Sequence, residues 1–289
     1  MQEPLSRGVI PSSRGAFCAL HAGSAGAPVT LVLHGFPDVP DGFAPVLRAL
    51  ARAGRRAVAP YLRGYWPSPL SGPYDLATLA RDVIHLAEVL SGDAPCDVVG
   101  HDWGAVLAYV ALATSPGRFR RAVTMSVPHP VALAASLVRD AGQRRRSAYM
   151  GSFQLPFAAS RLRGRGSSWV EDLYRAWSPG FEPPGEHMAL VARGLEVSRE
   201  GPLGYYRALR SRASLGVLRR LASPGGRIPH PTLHLTGARD GCVASHVGAD
   251  DARYFDGTRE RRVLDGVGHF LHLEAPERVA REITGYLAP

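Results

Sequence analysis

Three residues able to perform covalent chemistry together each follow an apolar run that reads as a buried strand: Asp102, Asp240 and His269. Asp102 sits in Gly100-His101-Asp102-Trp103-Gly104, between the strand Asp97 to Gly100 and the helix Trp103 to Thr114. A strand that turns straight into a helix forces its central residue into a strained backbone and thrusts the side chain above the sheet edge, the form of a nucleophile elbow. Gly100 and Gly104 remove side chains that would collide as strand and helix converge. The helix N-terminus beside Asp102 favours an anion there. His269 reads as a base, with Asp240 accepting its other ring N–H and fixing the tautomer. His272 is the rival base, and the turn Gly266-Val267-Gly268-His269 favours His269.

An Asp nucleophile narrows the reaction. Attack on a carbonyl would give a labile anhydride. Attack on a saturated carbon gives an alkyl-enzyme ester and requires a leaving group such as an epoxide oxygen or a halide. The histidine then activates water against the carbonyl of that ester. The resulting oxyanion needs fixed donors, and the backbone N–H groups of Phe36 and Trp103 are suitably placed; the same two residues are candidates for substrate contact.

These groups need a sheet edge to bring them together. Strands are expected at Arg7 to Ile10, Phe17 to His21, Val29 to Leu33, Arg56 to Ala59, Asp97 to Gly100, Arg121 to Ser126, Thr232 to Leu235 and Arg261 to Leu264. Helices are expected near Gly42 to Ala53, from Leu76 to Leu90 behind the capping Asp75, from Trp103 to Thr114, and from Pro276 to Leu287. Val243 to Tyr254 reads as largely helical. The alternation breaks over residues 128–228, where Val131 to Arg139 and His187 to Ser198 read as helices, and Gly164-Arg165-Gly166 and Pro183-Pro184-Gly185 as loops. The expected fold is therefore α/β: a mostly parallel eight-stranded sheet flanked by helices. Residues 1–127 and 229–289 form its core, and residues 128–228 a helical cap over the carboxyl ends of the strands.

With His34-Gly35-Phe36-Pro37, Gly237-Ala238-Arg239-Asp240-Gly241-Cys242 and Gly266-Val267-Gly268-His269-Phe270, the elbow resembles the epoxide hydrolase branch of the α/β-hydrolase superfamily. The order nucleophile, acid, histidine is that of the superfamily. The resemblance implies two phenols in the cap that protonate the epoxide oxygen. Tyr149 stands before Phe153-Gln154-Leu155-Pro156 at the family spacing, and Tyr205-Tyr206-Arg207 supplies the second, with Tyr206 the match. The family often has Asn and Trp where Gly204 and Tyr205 stand, which leaves Tyr205 in competition. The implied reaction converts a small-molecule epoxide and water into a vicinal diol, with no cofactor and no metal. The alternative is a haloalkane dehalogenase using the same triad, with Trp103 as one halide donor; Phe36 in place of Asn speaks against it, and Trp169 and Trp177 read as cap core. A third reading is an inactive protein that binds a small apolar ligand in the same pocket.

Composition bounds the remainder. Hydrophobic residues make up 45% of the 289 positions, enough for a full core, and no apolar stretch is long enough for a membrane span. The opening Met1-Gln2-Glu3-Pro4 has no signal-peptide character. Three separated cysteines, Cys18, Cys96 and Cys242, fit reduced thiols and a cytoplasmic location. The net charge is +9, and every basic residue is Arg. Residues 128–228 carry 16 Arg against 7 acids, so the whole excess lies in the expected cap. No nucleic-acid motif accompanies it. It reads first as a solvated Arg-rich surface and only second as a preference for an anionic epoxide, while oligomeric state stays open.

Overall fold

The strands at the centre of this chain are continuous apolar runs, the pattern of a sheet covered on both faces. The computed structural model, which describes residues 4–158 and 166–288, contains that sheet. Its strands are β1 (Ser6–Ile10), β2 (Phe17–Ala22), β3 (Val29–Leu33), β4 (Arg56–Pro60), β5 (Cys96–His101), β6 (Phe119–Met125), β7 (Thr232–Gly237) and β8 (Arg259–Leu264). They lie side by side in the order β1-β2-β4-β3-β5-β6-β7-β8. β2 runs against both of its neighbours, while β3 to β8 are parallel. Parallel strands share one carboxyl edge, so the segments after β3, β5, β7 and β8 emerge together.

Side chains alternate across the sheet and build two cores. Leu31, Leu33 and Val98 face helices α2 (Leu76–Ser91) and α3 (Trp103–Thr114), joining Leu79, Val83, Ala108 and Leu112. Val32, Val99, Val123 and Leu233 face α1 (Ala44–Arg52) and, at the far end of the chain, Pro276–Leu287, joining Val46, Leu47, Leu50, Val279 and Ile283. Each such aliphatic side chain contributes roughly 1.5–3 kcal/mol through its removal from water. Asp75 caps α2 by accepting the Thr78 N–H at 3.0 Å. Helix α3 is buried on nearly every side, and Gly104 lets it approach β3: a Cβ there would lie 2.2 Å from the Leu33 carbonyl oxygen.

Between β6 and β7 the described residues hold only helices: α4 (Pro130–Arg139), α5 (Ala141–Arg146), α6 (Tyr149–Ser152), α7 (Gly166–Trp177), α8 (Gly185–Ser198), α9 (Gly201–Ala208) and α10 (Arg212–Leu221), apart from a short 3-10 turn at Pro224–Gly226. After β8 come α11 (Leu271–Glu274) and α12 (Pro276–Leu287).

Several expectations need correction. Val243 to Tyr254 is a run of turns ending in one 3-10 turn at Asp251–Tyr254. Asp240 accepts the amides of Cys242 and Val243 as a helix cap would, but Gln143 takes that of Ala244, and the turns that follow close three residues back, Val247 to Ala244 and Ala249 to His246, rather than four. Gly248, at φ +81, interrupts it again. The helix expected from Gly42 opens as a 3-10 turn at Pro40–Phe43 and becomes α-helical at Ala44, with Pro45 in its first turn. Gly166 and Gly185 each begin a helix rather than lying in a loop, while Gly164 and Arg165 fall outside the described residues. No helix among the described residues is long and apolar enough to cross a membrane.

The contact at Gly104 makes the strand–helix turn intolerant of volume. Gly104→Ala is expected to cost about 3 kcal/mol by overpacking and to lower the melting temperature by roughly 5–10 °C in a thermal scan.

Candidate active site

The backbone of Asp102 is the one residue between β5 and α3, and it is left-handed, with φ 51° and ψ −116°. A non-glycine residue in that region carries on the order of 1–3 kcal/mol of strain, which the surroundings must hold in place. They do so on every side. The Asp102 amide donates to the Met125 carbonyl at 3.2 Å, and its carbonyl accepts from Ala105 and Val106 at 3.0 and 3.1 Å. The carboxylate is raised into a cavity with Oδ1 accepting the Phe36 amide at 2.7 Å, and the Trp103 amide also faces it. Burial pushes the Asp102 carboxyl up to about 6, against the pull of His269 and the two amides, so it is ionised at neutral pH.

His269 lies beside it. Nδ1 is 2.9 Å from Asp240 Oδ2, and Nε2 is 3.8 Å from Asp102 Oδ2. Asp240 is itself held, its Oδ1 accepting the Cys242 and Val243 amides at 2.7 and 2.8 Å. An ionised carboxylate only accepts, so Nδ1 carries the proton and Nε2, without a hydrogen-bond partner, faces Asp102. Burial disfavours the charged ring, but Asp240, and after it Asp102, outweigh burial and raise His269 above its ordinary value. The His269 backbone is fixed by Ser178 Oγ, which accepts its amide at 3.0 Å. Its carbonyl accepts from Ser126 Oγ at 2.6 Å and from His101 Nε2 at 2.9 Å.

A cavity of about 220 Å3 opens over Asp102. Trp103, Tyr149, Tyr206 and Cys242 line it with Asp102, and the rest of its wall is mostly aliphatic, including Leu76, Val106, Leu133, Leu137, Met150, Leu209 and Leu218. The Tyr149 and Tyr206 rings are 6.0 Å apart, and burial pushes both phenols well above their ordinary range, so both are O–H donors. The Tyr206 hydroxyl has no close hydrogen-bond partner, and the Trp103 and Tyr149 side chains interact with it at longer range. Tyr205 is different: its hydroxyl donates to the Arg63 carbonyl at 2.6 Å, away from the cavity. The departure at Gly204 also has a local reason, because Tyr74 fills that space and a Cβ there would lie 2.2 Å from its ring. Phe36 contributes its amide, while its ring packs against Phe153 and Tyr206 and does not line the cavity. No arginine lines it among the described residues.

The sequence pattern of the α/β hydrolase fold matches residues 28–276. An epoxide hydrolase of Caballeronia sordidicola is 30% identical over 93% of this chain and 90% of its own. The chain belongs to the α/β-hydrolase family, in its epoxide hydrolase branch. Epoxide hydrolase A of Mycobacterium tuberculosis is 28% identical over 93% of this chain and 92% of its own. The crystal structure of epoxide hydrolase A from Mycobacterium thermoresistibile superposes with a TM-score of 0.82 over 98% of each chain at 22% identity, a likeness of fold.

Some residues that support this hydrolase site escape a reading of the sequence. Asp38, fully buried just after the His34-Gly35-Phe36-Pro37 turn, accepts from His272 Nε2 at 2.6 Å and lies 2.9 Å from His187 Nε2 on α8. Burial opposes its ionisation, but His187 and then His272 hold it well below the usual carboxylate range. His272, the rival base, is thereby committed to Asp38. Asp38, His101 and His272 have donor atoms close enough to share a metal ion, but His272 Nε2 is engaged by Asp38 and His101 Nε2 by the His269 carbonyl. Trp177, expected as core, packs its ring 5.1 Å from that of His269. The aromatic and histidine letters around Phe270 were the available signal. Arg63 pairs with Asp82, and His129 stacks on Tyr254 away from the cavity.

Asp102 has an effect on stability as well. Its pKa rises from 3.8 in the unfolded chain to about 6, so its contribution to stability is complete below about pH 4 and is lost as pH rises through 6. Asp102→Asn is expected to be more stable than the parent by about 3 kcal/mol at pH 8 and equal to it near pH 4, measured by thermal or urea unfolding.

Proposed function

We propose that this protein hydrolyses a small, neutral, apolar epoxide to a vicinal diol through a covalent ester on Asp102. In the first step an Asp102 oxygen attacks an epoxide carbon and the ring C–O bond breaks. The alkoxide that leaves is strongly basic, and Tyr149 and Tyr206 donate to the ring oxygen and supply its proton. In the second step His269 Nε2 takes a proton from water, whose oxygen attacks the ester carbonyl carbon. Asp240 stabilises the imidazolium that forms. The Phe36 and Trp103 amides stabilise the tetrahedral oxyanion on what was the Asp102 carboxylate. On collapse the imidazolium gives its proton to the leaving oxygen, the diol departs, and the remaining proton of the attacking water returns to the phenolate as the carboxylate is regenerated. Residues 128–228 serve as a cap that carries both phenols and the aliphatic wall, over a core formed by residues 1–127 and 229–289.

The observation that carries this reading is a carboxylate at the elbow sharing one cavity with two buried, protonated phenols. Phenols suit an oxygen leaving group, which needs a proton; a halide does not. The aliphatic wall supports neutral substrates.

The two-step chemistry is separable. In His269→Gln, alkylation proceeds and hydrolysis stalls, so intact-mass spectrometry after incubation with an aryl epoxide is expected to find one substrate mass added, mapping by peptide to Asp102. Normal turnover by this variant, or an adduct elsewhere, overturns the assignment. Since Asp102 must be ionised to attack, kcat/KM for diol formation is expected to fall tenfold per pH unit below about 6, with Tyr149→Phe and Tyr206→Phe each slowing alkylation by about 10- to 100-fold.

A further inference from the structure

The loop after β7 supplies Asp240, but it also reaches the first phenol. Cys242 lies in the cavity wall with Sγ 3.4 Å from the Tyr149 hydroxyl oxygen, a contact in which either group is able to donate. Its backbone is gripped from two directions. The amide donates to Asp240 Oδ1 at 2.7 Å, and the carbonyl accepts from Gln143 Nε2 at 2.9 Å. The other end of the same glutamine, Oε1, accepts the Ala244 amide at 2.9 Å. Gln143 is fully buried on α5, and its Nε2 also donates to Ser147 Oγ at 2.9 Å. One buried carboxamide thus clips the segment that carries Tyr149 onto the loop that carries the acid. Burial, reinforced by Asp240 and Asp102 and opposed by the Tyr149 hydroxyl and Arg146, pushes the Cys242 thiol well above its ordinary value, so it remains S–H.

We propose that Cys242, held by Gln143, is a positioning residue for Tyr149: its S–H donates to the phenol oxygen and leaves the phenol O–H for the substrate. The proposal rests on the epoxide-opening reading given above. A phenol oxygen has one hydrogen and two lone pairs. When a lone pair accepts the thiol hydrogen, the phenol hydrogen is turned into the cavity, and donation into an oxygen strengthens that oxygen's own O–H as a donor. Negative charge appearing on the phenol as it gives up its proton is met by the same S–H. Among the described residues no thiol hydrogen-bonds to Tyr206, whose hydroxyl interacts instead with the Trp103 and Tyr149 side chains. The two phenols are therefore unequal, Tyr149 set by a thiol on a clipped loop and Tyr206 by its aromatic neighbours.

The test follows the first step alone, in the His269→Gln background where the adduct accumulates. Cys242→Val keeps the apolar bulk and removes the donor; it is expected to slow adduct formation roughly fivefold, the effect of one modest hydrogen bond. Cys242→Ser, which keeps a donor, is expected to recover to within about twofold of the Cys242 parent. In the Tyr149→Phe background Cys242→Val is expected to change nothing further. Equal slowing in both backgrounds, or none in either, overturns the proposal, since general packing does not depend on one hydroxyl. The contact is also read without catalysis, in the infrared S–H stretching band that disappears in Cys242→Val. Tyr149→Phe is expected to shift that band to higher frequency, and an unmoved band overturns the thiol's role as donor. If no epoxide forms an adduct in His269→Gln, the covalent reading falls and the proposed role falls with it; a shifted band then still reports the contact, which separates the two failures.

Discussion

One strained peptide unit controls this structure. Asp102 is held left-handed between β5 and α3, where an L-residue resists staying. Removing the strain would lower the carboxylate back onto the sheet edge. The amides of Phe36 and Trp103, the carbonyl of Met125 and the close seat of Gly104 against β3 together prevent it. Each belongs to an element whose own reason for being there is hydrophobic: β3 and β6 are central strands, and α3 is a buried helix. The two cores fix the backbone, and the backbone supports the charge.

Electrostatics follows from that placement. A carboxylate lifted into an apolar cavity loses water, and its affinity for protons rises. Two amides and a nearby imidazole limit the rise, so the group is still ionised at neutral pH. Too many donors would make it a poor nucleophile, and too few would leave it protonated. His269 also holds protons more tightly than usual, but by charge and against burial, with Asp240 orienting the ring through Nδ1. Asp38 carries out a related task out of sight of the cavity, binding a histidine from α11 and one from α8.

The fold was legible because its central strands, such as Val29–Leu33 and Thr232–Gly237, are runs covered on both faces, and because glycine and proline mark their ends. The triad was legible because each member stands just past a strand end on one parallel edge. Local side-chain capture was not. Nothing in the letters from Val243 to Tyr254 reveals that a distant glutamine takes the Ala244 amide or that the turns close three residues back rather than four. Nor does spacing distinguish Tyr205 from Tyr206; that depends on a carbonyl at Arg63 lying within reach of one hydroxyl and not the other. The network of Asp38, His187 and His272 joins segments remote in the chain, which only folding brings together. The charge excess gave no guide to the cavity, since no arginine lines its wall among the described residues.

That wall divides labour by chain segment. The polar atoms over Asp102 come from a few fixed positions, whereas the aliphatic surround comes mostly from Leu133, Leu137, Leu209 and Leu218 on helices and loops between β6 and β7. Exchanging one leucine there for a larger or smaller apolar residue reshapes the volume offered to a guest without disturbing the strained turn or its donors. Appetite and chemistry can therefore drift apart over generations, the first changing by single codons while the second is conserved by geometry.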